Sequence, residues 1–321
     1  MSNTASLGFV FPGQGSQRIG MLADAAVEHP SVGQTYSEAA DALGYDLWEL
    51  IQTGEAESLN MTEVTQPALL ASSVALWRSW RAAGGAAPSL LAGHSLGEFS
   101  ALVCAGAIGF ADGLRLVRAR GKAMQEAVPA GEGAMAAVIG LDDAEVDTVC
   151  QGVASTTGSV VAAVNYNSPG QVVIAGHADA VDDAGALLKQ SGAKRVLPLP
   201  VSAPFHTSLM RPAGETLEAA LADITVSAPD IPVVHNVHAS TETEPSRIRA
   251  LLVEQTYSPV RWTDCIKTMS GKGISAFVEC GPGKVLSGLL RRIDKTAASF
   301  AIETAGDLSS TLSALSQEQY V

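Results

Sequence analysis

A chain of 321 residues that is 47% hydrophobic and only 17% charged can bury a large core, which excludes a disordered protein. Its formal net charge of -13, with no lysine- or arginine-rich run to offset it, disfavours nucleic-acid binding. No apolar stretch is long enough to span a bilayer and the leading residues carry no basic run, so the expectation is a cytoplasmic protein without membrane association.

From the N-terminus, "LGFVF" at 7–11 reads as a strand, and "SVGQTYSEAADAL" and "QPALLASSVALWRSWRAAG" read as helices. Then "SLLA" reads as a second strand, followed by a helix from Leu96. This alternation predicts a parallel sheet with helices on its faces. From Gly133 the pattern changes to strand "AMAAVIGL", helix "DDAEVDTVCQGVAS", strands "VVAAVNYN" and "QVVIAG", helix "ADAVDDAGALLKQSGA" and strand "KRVLPLPV". The order β-α-β-β-α-β is that of a ferredoxin-like unit, bounded by the turn formers of "VPAGEG" and "SAP". The expectation is a small domain at 130–202 inserted into a large one formed by 1–129 and 203–321. In the second large segment an amphipathic helix precedes the strand "IPVVHNV", and helices follow near "PSRIRALLVEQ" and from Thr263. The strand "AFVEC" and the turn "GPG" then lead into what reads as the final helix.

Gly93-His94-Ser95-Leu96-Gly97 sits where the second strand turns into its helix. Glycines at both flanks remove the Cβ atoms that would collide in a sharp reversal, and the serine hydroxyl is lifted toward the first amides of the helix. That is the setting of a nucleophile elbow, and it makes the large domain α/β-hydrolase-like. Taken alone, so short a motif in a chain with 31 glycines is equally an ordinary turn. A serine needs a base, most often histidine. Of six histidines, His206 in "VSAPFHTSLM" stands out because it follows a proline break where the inserted domain returns to the large one; the alternative is a capping or packed histidine. His235 and His238 form H-x-x-H, but in a strand that spacing puts the rings on opposite faces, against a shared metal. Four cysteines far apart, with no C-x-x-C pair, read as buried thiols. No metal site is expected. The turn "FPGQGSQ" lacks the spacing of a phosphate loop, but its Gln14 amide is placed to complete an oxyanion hole with the amide of Leu96. On the next helix, one of Arg115, Arg118, Arg120 or Lys122 can turn inward to bind a carboxylate, and spacing does not choose among them.

Together, "FVFPGQGSQ", "TQPALL", "GHSLGEFSAL", "RGKAMQEAVPAGEGAMAAVIGL", "VNYNSPGQVVIAG", "PVSAPFHTSLM", "YSPVRW" and "ECGPGKVL" occur in an order that closely resembles the malonyl-CoA:acyl carrier protein transacylases. The resemblance covers nearly the whole chain. It implies that Ser95 is acylated by malonyl-CoA with His206 as base, that Gln14 and Leu96 form the oxyanion hole, and that Arg120 pairs with the malonyl carboxylate. It also implies that Gln66 and Asn165 lie near the site, and that the main-chain carbonyl of Arg261 orients the histidine. Phe205, immediately before His206, goes with malonyl rather than methylmalonyl in related synthase domains. The implied partner is a phosphopantetheinylated acyl carrier protein, with no tightly bound cofactor, and the implied pathway is fatty-acid synthesis. A malonyltransferase for a polyketide or malonate decarboxylase pathway, or a thioester hydrolase, is the alternative.

Overall fold

The computed structural model describes residues 6–201 and 203–317. In chain order the first part comprises β1 (Ser6–Phe11), α1 (Ala23–Glu28), α2 (Pro30–Leu43), α3 (Leu47–Thr53), α4 (Ala56–Leu59), α5 (Thr62–Ala82), β2 (Leu90–Gly93), α6 (Leu96–Cys104) and α7 (Phe110–Glu126). Next come β3 (Gly133–Ile139), α8 (Asp143–Thr157), β4 (Val161–Ser168), β5 (Gln171–His177), α9 (Ala178–Gln190) and β6 (Arg195–Pro198). A 3-10 turn at Ser208–Met210 leads into α10 (Arg211–Ala222), β7 (Val233–Val234), α11 (Pro245–Thr256), α12 (Trp262–Gly271), β8 (Ile274–Cys280), α13 (Val285–Ile293), β9 (Ala298–Ile302) and α14 (Ala305–Gln317).

The short apolar strands of the first and last parts form one five-stranded sheet in the order β7-β2-β1-β8-β9, with every neighbouring pair parallel. Parallel strands need both faces covered, and alternate residues of β1 supply both. Phe9 and Phe11 enter the core on one face, where Phe9 meets Trp77 and Trp80 edge-on at 5.4 and 5.3 Å between ring centroids. Val10 enters the core on the other, with Trp262, Phe277 and Leu290.

The middle part forms a four-stranded antiparallel sheet, β4-β5-β3-β6, which is the strand order of a ferredoxin-like unit. Its period-two alternation also serves two cores. Ala136, Val138, Val172 and Ile174 pack with α8 and α9, while Met135, Val164, Val173 and Ala175 pack against Met124, Val128, Phe205 and Met210. Main-chain bonds from Tyr166 N to Val260 O (3.0 Å) and from Val260 N to Val164 O (2.8 Å) tie β4 to the segment before α12. The seam between the two sheets is therefore apolar core plus paired backbone. Among the described residues, no helix is long and apolar enough to cross a membrane.

Two expectations fail locally. The strand expected through "IPVVHNV" stops at Val234, because the chain turns over Asn236–His238 and Ala239 takes a left-handed φ of 53°. The rings of His235 and His238 consequently meet edge-on, 5.9 Å between centroids, instead of facing apart. The helix after "GPG", α13, is not the last element, since β9 extends the parallel sheet beyond β8 and α14 follows it.

Close approach of backbone to backbone fixes the elbow at the end of β2. A Cβ on Gly93 would lie 1.8 Å from the carbonyl carbon of Gly97, and one on Gly97 would lie 2.0 Å from the carbonyl oxygen of Phe11. Both distances are far inside contact, and the obstructing atoms are main chain that cannot swing aside. Gly97→Ala should therefore push the end of β1 away from α6. The expected loss is about 1–3 kcal/mol or more, read from the urea denaturation midpoint; an unchanged midpoint would contradict this packing.

Candidate active site

Ser95 is the residue at which β2 becomes α6, and it holds φ 50°, ψ -108°, outside the ordinary regions for a residue with a side chain. Such strain costs on the order of 1–3 kcal/mol and persists only where the surroundings over-determine it. Here Ser95 N donates to Asn236 Oδ1 at 2.8 Å, and Gln255 Nε2 donates to Ser95 O at 3.1 Å. His206 is also left-handed, with φ 64°. Its turn is closed by Thr207 Oγ1, which donates to Pro204 O at 2.7 Å.

These two strained residues face each other, with Ser95 Oγ 2.8 Å from His206 Nε2. His206 Nδ1 lies 2.8 Å from the carbonyl oxygen of Gln255. A carbonyl only accepts, so Nδ1 carries the proton, Nε2 is bare, and the serine hydroxyl donates to it. Burial pushes the His206 imidazole down to about 3, with the nearby Arg120 cation acting in the same direction and the Gln255 carbonyl opposing it. His206 is thus neutral, the form in which it can take a proton.

Arg120 projects inward from α7 and is only 1% exposed. Its Nη1 donates to Gln66 Oε1 at 2.9 Å, and its Nη2 donates to Gln255 Oε1 at 2.9 Å and to Ser95 Oγ at 3.2 Å. The guanidinium lies 5.2 Å from the Phe99 ring centroid, over its face. Its Nε has no partner among the described residues. Burial lowers the guanidinium to about 10 while Glu98 opposes that shift, so it stays cationic at neutral pH. The helix's other cations are spent elsewhere. Arg115 pairs with Asp112 and Lys122 lies 4.0 Å from Glu126, both at the surface, and Arg118 bonds to Leu43 O beside the Tyr45 ring.

Gln14, Gln66, Ser95, Leu96, Arg120, Asn165, Phe205 and His206 line one pocket of about 110 Å³. Neither the Gln14 nor the Leu96 amide is taken up by another described group. The "PGQG" turn is held against the elbow so tightly that a Cβ on Gly13 would sit 2.5 Å from His94 O. Asn165 Oδ1 is buried and has no partner among the described residues. Among the described residues, no cluster of His, Cys, Asp and Glu is arranged to hold a metal ion.

Arg261 is not part of this pocket. Its carbonyl accepts from Cys265 N as the first bond of α12, and its guanidinium pairs with Asp264 at the surface. The carbonyl on His206 Nδ1 belongs instead to Gln255, near the C-terminal end of α11, where carbonyls lack helical partners. Sequence reasoning also missed Gln255 itself, Glu98 and Asn236, and weighed His235 only as a metal ligand; the four form a fully buried polar cluster beneath the elbow. The available signals were a glutamate three residues after Ser95 on an apolar helix and polar "HN" directly after an apolar strand. His94 and Asn167, 2.7 Å apart, and Met124, Met135, Leu199 and Val201 complete the surroundings.

A parallel α/β sheet with a serine at its strand-to-helix turn is the frame of an acyl-transferring enzyme. The chain belongs to the acyl transferase domain family, whose profile matches residues 8–310. It is 57% identical over 304 residues to the malonyl CoA-acyl carrier protein transacylase of Salmonella typhimurium, covering 95% of this chain and 98% of that one. Among solved structures, the acyl carrier protein S-malonyltransferase of Vibrio cholerae has a TM-score of 0.93 at 54% identity, over 96% of this chain and 100% of that one. A malonyl-transacylase solved in complex with the acyl-carrier protein of a type II PKS has a TM-score of 0.95 at 52% identity, over 97% and 100%.

The depressed His206 makes a pH prediction. A base at the ordinary value of 6.5 would be about 97% protonated at pH 5 and idle. With its value pushed well below that, His206 stays neutral as pH falls, so the single-turnover rate of serine acylation should be nearly flat from pH 7.5 to 5. Arg120→Gln removes one of the lowering charges and should move the acid limb upward. A wild-type limb centred near 6.5 would contradict the burial of the base.

Proposed function

We propose that this chain transfers a malonyl group from malonyl-CoA to the phosphopantetheine thiol of an acyl carrier protein, in the cytoplasm and for fatty-acid synthesis. Ser95 is the nucleophile. Its Oγ proton passes to His206 Nε2 as Oγ attacks the thioester carbonyl, and the oxyanion is met by the Gln14 and Leu96 amides. Collapse expels CoA, whose thiolate takes the proton from His206. The carrier's thiol then gives its proton to His206 and attacks the malonyl-serine ester; collapse forms the carrier thioester and expels Ser95 Oγ, which takes the proton back from His206. Every step is proton transfer, carbonyl addition or elimination of the leaving group, and none calls for a tightly bound cofactor.

The observation that carries this reading is the buried Arg120 cation, 3.2 Å from Ser95 Oγ with its Nε unpartnered. A serine hydrolase working on neutral acyl groups has no use for it, whereas an acyl chain ending in a carboxylate neutralises it bidentately. Phe205, packed beside the base, restricts room at the malonyl α-carbon, and Gln66 holds the guanidinium. Lys189, Lys194, Arg195, Lys284, Arg291 and Arg292 are exposed and give an acidic carrier basic contacts on an acidic enzyme. The neighbour solved with a polyketide carrier favours, as a second reading, the same chemistry with that kind of carrier. We further propose that residues 130–202 form a small domain inserted into a large one of 1–129 and 203–321, with position 202 and the chain ends outside the described residues.

Intact-mass measurement after mixing with malonyl-CoA alone should show one malonyl adduct, lost in Ser95→Ala. In Arg120→Gln, kcat/KM for malonyl-CoA should fall roughly 30- to several-thousand-fold, because an unpaired buried charge costs about 2–5 kcal/mol. Acetyl-CoA should lose little. An unchanged malonyl-to-acetyl ratio would refute the role of Arg120.

A further inference from the structure

The Gln255 side chain stands between two buried charges. Its acceptor end, Oε1, takes a hydrogen bond from Arg120 Nη2 at 2.9 Å. Its donor end, Nε2, faces only acceptors: Glu98 Oε2 at 2.8 Å, Ser95 O at 3.1 Å and Asn236 Oδ1 at 3.4 Å. An amide is nearly symmetric in shape but not in charge, so its direction is set by what it meets. Turned over, it would aim N–H groups at the guanidinium and its oxygen at the carboxylate, with both contacts repulsive in a site closed to water. Of the three acceptors, Glu98 is the nearest and the charged one.

Glu98 is itself fixed from three sides. Asn236 N donates to Oε2 at 2.9 Å, His235 Nδ1 lies 2.7 Å from Oε1, and Gln255 supplies the third bond. Glu98, His235, Asn236 and Gln255 are all fully buried. The carboxylate sits in the first turn of α6, where the helix dipole favours an anion. None of its bonds reaches the pocket, and Glu98 does not line it.

We propose that Glu98 is a positioning residue for acyl selection: by dictating the direction of the Gln255 amide, it fixes the plane of the Arg120 guanidinium and so the choice of a carboxylate-bearing acyl group. The inference rests on the reading of Arg120 given above. With Gln66 and Gln255 each holding one terminal nitrogen, the guanidinium cannot rotate, and its unpartnered Nε keeps a set direction. Release at the Gln255 end frees that rotation and leaves the cation without one of its two amide acceptors.

Glu98→Gln is close to isosteric but offers one acceptor oxygen where the carboxylate offers two, and it removes the charge that orients Gln255. Gln255→Met removes both amide ends and keeps the backbone carbonyl on His206. In each, the malonyl-to-acetyl ratio of kcat/KM should fall by about 10- to 100-fold, the factor that a buried hydrogen bond to a charged group is worth. The double variant should fall no further than the worse single one, because Glu98 acts through Gln255. A purely structural Glu98 would lower activity toward both substrates alike and leave the ratio unmoved. That result in folded Glu98→Gln overturns the proposal, as do losses that multiply in the double variant. Should Glu98→Gln not fold, Gln255→Met decides, and an unchanged ratio there overturns it. A ratio lost in Arg120→Gln but kept in both other variants refutes the positioning role alone. A ratio unchanged in Arg120→Gln refutes the reading of the site as well.

Discussion

A guanidinium taken out of water loses several kcal/mol of hydration and must be answered by its surroundings. Arg120 is answered from three directions: Gln66 on α5, Gln255 on α11 and the face of Phe99 on α6. Glu98 supplies the opposite charge one amide away. A single cation on α7 thereby fixes the relative placement of four helices at the end of the parallel sheet. Burial keeps the neighbouring imidazole neutral and the same cation adds to that effect, so charge recognition and base chemistry are coupled.

The second constraint is steric. The β2–α6 turn closes on itself until only hydrogen fits at position 93, and it approaches the end of β1 until only hydrogen fits at position 97. That contact brings the turn carrying Gln14 beside the first amide of α6, and it holds Ser95 in a conformation it would not otherwise keep. The antiparallel sheet then lines the pocket with Met135 and Asn165, beside the buried charges. Electrostatic interactions there gain strength for the same reason that burial was costly.

Much of this was legible in the sequence because it is written in local patterns. The strand-turn-helix at Ser95, the β-α-β-β-α-β order after Gly133 and the break before His206 are each contiguous, and the structure has them. Arg120 was one of four basic residues whose spacing did not distinguish them; only the packing of α7 shows which one turns inward. Glu98 stood out only as a lone acid on an apolar helix, and its pairing with Gln255 was not legible because the two lie 157 residues apart in sequence. Arg261 was misjudged for a related reason. A backbone carbonyl carries no residue-type signal, and the free one belongs to the end of α11 rather than the start of α12. The strand at Val233 ends earlier than "IPVVHNV" suggests because an apolar run gives no sign of the turn that Asn236 begins.

The central claim is that one buried site joins a serine nucleophile to a cation that reads the far end of the acyl group. The most direct measurement is a crystal structure of the protein acylated from malonyl-CoA. The account predicts an ester on Ser95 Oγ, its carbonyl oxygen at the Gln14 and Leu96 amides, and the free carboxylate paired with Arg120 at about 2.7–2.9 Å. A malonyl group whose carboxylate turns to solvent, or an ester on any other residue, would contradict it.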